Sequence, residues 1–334
     1  MIRLLIALAW RFGFLGLGGW CSLVALFSPI FDAQLRLPAA GIVGFLTLAT
    51  LWHPRRYRFI STAALIAVMF LWARLEPSNN RDWQRDVAKP AWAKIEGDQV
   101  TVYNVRDFLY RSETDFDERY VTKTVHLSEL TSMDLFASYW AGKNIAHIFL
   151  SFGFAEKDYI AFSIEVRKTK TQAYSTIDGF FRNFELIYVV AEERDLVGLR
   201  TIYRQPNEQV YLLRLNYMQE NAVKLFLEYL KKLNALVEHP AFYNTLTTNC
   251  TTQVLYNAQD AIGADRFRYN WRLFLSGYTP EYLYMVGSLD ERLPMQTIMD
   301  KGLVNSRAQD VLDAATFSRM IRDGAPNPHA AKIE

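Results

Sequence analysis

The sequence predicts an α+β protein: transmembrane helices at the N-terminus, then a domain in which an antiparallel sheet packs against helices. Three observations predict it. Residues 1–75 hold long uncharged runs, residues 100–215 hold short alternating runs rich in β-branched and aromatic side chains, and residues 218–238 repeat apolar side chains at helical spacing.

The run 12–31 carries no charge and is close to the length a helix needs to cross a bilayer core. The runs 37–52 and 59–73 are shorter, with Arg55, Arg56 and Arg58 between them. Arginines at helix ends snorkel, so short spans are tolerated. Seven arginines and Asp32 are the formal charges of residues 1–75. Basic loops stay in the cytoplasm, so Arg3 and Arg11 place the N-terminus inside, the HPRRYR loop returns there, and everything after Leu75 lies outside. If the two short runs form a re-entrant hairpin instead, the parity is unchanged. A cleaved signal peptide fits poorly, because Arg11 interrupts its apolar stretch and no small-x-small site follows. Trp20 before Cys21 argues against lipid attachment, which leaves Cys21 as a lipid-facing or packing residue.

Residues 76–98 read as a linker, with Pro77, Pro90 and two tryptophans, Trp83 and Trp92, suited to the membrane interface. The folded domain spans 99–325 and a tail 326–334. Strands are expected at 100–105, 120–127, 134–140, 145–154, 159–167, 186–191 and 210–215. A long helix follows at 218–238, with Ala222, Leu225, Phe226, Tyr229, Leu233 and Leu236 facing the core and Pro240 ending it. After Asn249 a second helix runs to about Ala261, before Gly263. Pro280 marks a helix start, the stretch around Leu293 and Pro294 reads as irregular, and a final helix covers 306–322.

Of 37 basic and 35 acidic residues, 30 and 34 remain after residue 75, a net of −4, which excludes a nucleic-acid binder. The acids and histidines lack a metal-ligand spacing such as HExxH; Glu192, Glu193 and Asp195 read as a solvated charge run, and no metal or cofactor is implied.

The stretch TLTTNCTTQVLYN, residues 245–257, contains Cys250, which has no cysteine partner in its domain. Thr247, Thr248 and Asn249 are capping residue types, so Cys250 sits at a helix start, where the dipole and unpaired N–H groups favour thiolate. The competing reading is a buried, inert thiol. A cysteine nucleophile needs a base. His53 lies in the membrane hairpin, His239 precedes a proline, His329 lies in the tail and His126 at a strand end, which leaves His147 in NIAHIFLSFGF. There, Ala146, Ile148, Leu150, Phe152 and Phe154 form one apolar face, and His147 shares the other. Matching that face to Ile160, Phe162, Ile164 and Val166 across a loop at 155–157 pairs Phe154 with Asp158 and puts His147 opposite Glu165. Glu165 is then placed to orient the ring; a five-residue loop would put Arg167 there, and the competing reading is a solvated polar pair.

The runs YNVRDFLYRSETDFDERY, IAHIFLSFGF, IAFSIEVRK, FELIYVVAEERD and FYNTLTTNCTT resemble the Lnb N-terminal periplasmic domain family of bacterial envelope proteins, over about residues 95–325. Lnb is a lipoprotein N-acyltransferase. The resemblance implies a permuted papain-like thiol enzyme of the NlpC-type and lecithin:retinol acyltransferase-like group, in which the histidine strand precedes the cysteine helix. Position by position, it implies Cys250 as nucleophile, His147 as base and Glu165 as the orienting residue. In Lnb the membrane segments follow the domain, whereas here they precede it.

These features imply a bacterial inner-membrane protein with its catalytic domain in the periplasm, moving an acyl chain from a membrane phospholipid through a Cys250 thioester to an amine or hydroxyl, with a lipoprotein N-terminus as one acceptor. Arg106, Arg111, Arg167 and Arg182 are candidates for a lipid phosphate, and Asn249, Tyr139 and Trp140 for lining the substrate groove. Surface ion pairs and core packing are the competing readings for these. A cysteine hydrolase and a non-catalytic binding module are the alternatives.

Overall fold

The computed structural model describes residues 2–265, 267–309 and 313–329. The expected tail residues 330–334 and residues 310–312 of the expected last helix lie outside them, as does the side chain of Arg3. The chain divides into two compact units.

The first unit comprises residues 1–80, 171–185 and 241–245. Its helices are α1 (Ile2–Phe27), α2 (Ala33–Trp52) and α3 (Pro54–Ala73), and each contains a stretch long and apolar enough to cross a membrane. Only His53 separates α2 from α3, with Pro54 at the first helical position of α3, where its missing N–H costs nothing. Gly18 permits the contact of α1 with α2, since a Cβ there would lie 2.2 Å from the Thr47 side chain. Cys21 is fully buried with Val24, Val43, Leu65 and Val68, so of its two expected roles it takes packing. Phe181 joins that cluster, its ring 5.0 Å from Trp20 and 5.7 Å from Phe27. Arg182, a candidate phosphate ligand, instead donates to the Trp72 carbonyl at 3.0 Å and stacks on the Trp72 ring.

The second unit is built on a sheet whose strands are β1 (Trp92–Glu96), β2 (Gln99–Arg106), β5 (Tyr120–His126), β6 (Leu130–Tyr139), β7 (Ala146–Phe154), β8 (Asp158–Arg167), β9 (Glu185–Ala191) and β10 (Gln209–Arg214). A separate two-stranded piece holds β3 (Leu109–Tyr110) and β4 (Phe116–Asp117). The order is β1-β2-β9-β8-β7-β6-β10, with β5 also on β2. The expected antiparallel sheet is modified at one joint, because β2 meets β9 in parallel at Arg106 and Ala191. Residues 92–96, expected as linker, form β1, a short and mostly exposed strand whose alternation is weak. Trp92 stacks on Tyr103, while Trp83 is buried under the Arg167 guanidinium rather than resting at a membrane interface.

Helices cover both faces of the sheet. On one, Phe152 and Phe162 pack against Phe226 and Tyr229 of α5 (Gln219–Glu238), with α6 (Cys250–Ile262) alongside. On the other, Phe136, Phe149, Val189 and Leu212 meet Leu196 of α4 (Glu193–Gly198) and Phe317 and Ile321 of α10 (Ala314–Arg322). The chain between α6 and α10 forms α7 (Trp271–Phe274), α8 (Thr279–Met285) and α9 (Met295–Gly302), the last following the stretch read as irregular. The final helix is shorter than expected, because Asp313 caps it by accepting from the Thr316 N–H at 2.7 Å.

Glu192, Glu193 and Asp195 are not a solvated run. All three are buried: Glu192 pairs with Lys123 at 2.7 Å, Glu193 with Arg322 at 2.6 Å and Asp195 with Arg106 at 2.6 Å. Local sequence shows the acids but not the distant arginines that make their burial tolerable.

Candidate active site

The start of α6 is set by a reciprocal cap. Asn249 Oδ1 accepts from the Thr252 N–H at 2.9 Å, and Thr252 Oγ1 accepts from the Asn249 N–H at 2.9 Å. Cys250 is therefore the first helical residue. Its N–H and that of Thr251 precede the first intrahelical acceptor and remain available to a developing negative charge. The body of α6 is fixed by buried Asn257, whose Nδ2 donates to Tyr188 Oη of β9 at 3.1 Å.

Strands β7 and β8 bring the histidine. Their register runs from Phe154 opposite Asp158 to Phe149 opposite Ser163, the one expected for a loop at 155–157. Its continuation carries His147 to Glu165, and Nε2 lies 3.1 Å from Oε1. Ser163 lies between them, its Oγ 2.6 Å from His147 Nε2 and 2.6 Å from Glu165 Oε1. The His147 ring also interacts with the Cys250 sulfur.

The charges agree with that geometry. Burial alone would push the Cys250 thiol up, but the His147 ring, a hydrogen bond from the Ile148 backbone and the Thr251 hydroxyl hold it below its ordinary 9.0. For His147 burial opposes the charged ring, yet Glu165 and the Cys250 sulfur raise it to about 9. Glu165 is also opposed by burial, and His147, Arg200 and Ser163 hold it well below the usual carboxylate range. Each shift favours the charged form, the electrostatic condition for pairing a thiolate with an imidazolium.

Arg200 is the cation behind this pair, and it went unnoticed in the sequence. It lies in a widened turn, Leu199–Tyr203, that continues α4, and its Nη2 donates to Glu165 Oε1 at 3.0 Å. Glu208 lies 3.7 Å from Arg200 Nε and accepts from Ser138, the residue opposite His147 on β6. The nearest available signal was negative: ERDLVGLR carries an arginine on an otherwise apolar helical face.

The other nominated residues do different work. Arg106 is 5% exposed and forks onto Asp195, and Arg167 is 2% exposed and donates to the Val87 and Ala88 carbonyls, so neither guanidinium is turned to a substrate. Arg111 binds Asp115 and Asp117 at the surface. Asn249 is engaged as the helix cap, and Tyr139 donates to the Gly277 carbonyl at 2.6 Å. Trp140 is exposed. No group of acids, histidines or cysteines suited to a metal occurs among the described residues.

One helical turn beyond Cys250, an apolar cavity of about 60 Å³ opens between α6, α5 and the sheet. Val254, Ala258 and Ile262 line its α6 side, and Leu135 and Leu150 its sheet side.

Residues 116–277 match the family model of the Lnb N-terminal periplasmic domain. This segment is similar to that family. The Lnb-like segment contains Cys250, His147, Ser163, Glu165 and Arg200, whereas Arg106 lies before it. Three helices long and apolar enough to cross a membrane, together with this likeness to a periplasmic domain, fit a membrane-anchored protein with a periplasmic domain. No curated protein and no solved structure matches it.

Proposed function

We propose that the protein is an inner-membrane thiol acyltransferase, with Cys250 as nucleophile, His147 as acid and base, and Glu165 as the residue that orients and charges the ring. The observation that carries this reading is the chain of contacts from Cys250 through His147 to Ser163, Glu165 and Arg200. The order of a histidine strand before a cysteine helix supports placing the domain with the permuted papain-like thiol enzymes.

In the first half-reaction the Cys250 thiolate attacks the carbonyl carbon of a phospholipid acyl ester. The oxyanion is met by the N–H groups at the start of α6. As the C–O bond breaks, imidazolium gives its proton to the departing lipid alkoxide, and the acyl chain stays on sulfur as a thioester. In the second half an amine or hydroxyl attacks that thioester while His147 takes its proton, and the C–S bond breaks to restore thiolate. A lipoprotein N-terminus is an acceptor of the required chemistry. The small apolar cavity one turn along α6 is a place where the end of an acyl chain could begin to be buried. Anchoring in the same bilayer raises the effective concentration of lipid at the site.

The test is incubation of the full chain with acyl-labelled phospholipid and a peptide bearing a free amine. Hydroxylamine-sensitive label on Cys250 followed by labelled amide is expected. Label released only as free fatty acid would assign a hydrolase, and no label on Cys250 would refute thiol acyl chemistry.

A further inference from the structure

Between Asp265 and Glu281 the chain reads RFRYNWRLFLSGYTP, with three arginines and no acid, in a region after residue 75 that is net acidic. Its large side chains point outward: Trp271 is 52% exposed and Phe274 56%, and Tyr269 and Leu275 are exposed beside them. The turn between β6 and β7 adds exposed Trp140 and Ile145.

These two segments are fastened into one lip. Gly277 N–H donates to the Asn144 carbonyl at 3.1 Å, and Ala146 N–H donates to Ser276 Oγ at 3.0 Å. Tyr278 Oη donates to Asn144 Oδ1 at 3.0 Å. The approach is so close that a Cβ on Gly277 would lie 2.1 Å from the Lys143 carbonyl oxygen. A lip held this firmly, at the start of the strand that carries His147, keeps its aromatic side chains in solvent by construction. Arg272 stacks on Trp271 and lies 3.6 Å from Glu281, Arg268 is exposed with Asp265 4.0 Å away, and Lys143 is exposed nearby.

We propose that this lip docks onto the phospholipid surface of the bilayer, with Trp271, Phe274 and Leu275 at the headgroup and acyl boundary and Arg268, Arg272 and Lys143 on lipid phosphates. Aromatic rings mixed with cations are the composition that settles at that depth, and an exposed apolar patch of this kind marks an interaction surface. Arg266, Arg268, Arg272 and Lys143 outnumber the flanking Asp265 and Glu281, so the lip is net positive, which selects an anionic surface. The inference goes beyond acyl transfer and does not depend on it.

The test uses the full chain with Cys21→Ala and Cys250→Ala, reconstituted in phosphatidylcholine vesicles with and without phosphatidylglycerol. A fluorophore is placed at Phe274→Cys or, as control, at Glu96→Cys on exposed β1, and nitroxide-bearing lipid is added. We expect severalfold stronger quenching at 274 than at 96, increased by phosphatidylglycerol and reduced by Arg268→Glu with Arg272→Glu. Equal quenching at both positions overturns the proposal. So does energy transfer between labels on two copies without lipid quenching, which would assign the lip to self-association. Because Cys250 is absent throughout, a failure here is separate from a failure of the thioester reading.

Discussion

Nε2 of His147 lies 3.1 Å from Oε1 of Glu165, across a hairpin whose register is fixed by a three-residue loop. Burial opposes the imidazolium, and Glu165 with the Cys250 sulfur raises the ring from 6.5 to about 9. Replacing Glu165 with Gln removes the first of these two supports. We expect the high-pH limb of the rate profile to move down toward neutrality and turnover to fall about 10- to 100-fold, the range typical of a lost orienting partner. Ser163→Ala leaves the direct contact and should cost less.

The same raised group links stability to pH. A ring whose folded value exceeds its unfolded value binds its proton more tightly when folded, so its stabilisation is complete below pH 6.5 and is lost as pH rises through about 9. The melting temperature of the full chain in detergent, less that of Glu165→Gln, should be larger at pH 6 than at pH 9.5. A difference that does not shrink with rising pH would contradict the assignment.

Asn249→Ala removes the cap at Thr252. A lost N-cap costs about 1 kcal/mol, here concentrated at the turn that carries the Cys250 thiol. We expect a small fall in melting temperature and a larger fall in Cys250 alkylation rate, which Asn249→Asp should largely restore.

Asp195→Ala strands the Arg106 guanidinium, which is 6% exposed at its side chain. Breaking a buried pair from one side costs about 3 to 5 kcal/mol. Thermal unfolding should detect a large loss, whereas Arg111→Ala, at an exposed pair, should change stability by less than about 1 kcal/mol.

Ala258→Trp fills the cavity beside α6. Overpacking costs about 1 to 3 kcal/mol, and the space lost is that next to the thiol helix. Competition between phospholipids of different acyl length should shift toward shorter chains, with the alkylation rate of Cys250 unchanged. An unaltered chain profile would place the acyl tail elsewhere.

The parts of the site that were legible are those set by local rules. Strand alternation and one loop length placed His147 opposite Glu165, and capping chemistry placed Cys250 at the first turn of α6. What was not legible depends on contacts between distant segments. Glu193 and Asp195 look solvated in sequence because their arginines, Arg322 and Arg106, are far along the chain. Arg200 escaped notice for the same reason, since nothing near it announces Glu165 as its partner. Arg106 and Arg167 carried the right chemistry for phosphate, and burial gave them other partners. The strand β1 was missed because Trp92–Glu96 is too short and too exposed to show a period.

The most direct measurement is the rate of Cys250 alkylation by iodoacetamide as a function of pH, in the full chain with Cys21→Ala, with and without His147→Ala. The account predicts half-maximal reactivity below the ordinary thiol value of 9.0, rising toward or past it when His147 is removed. Titration at or above 9.0 in both proteins would contradict it.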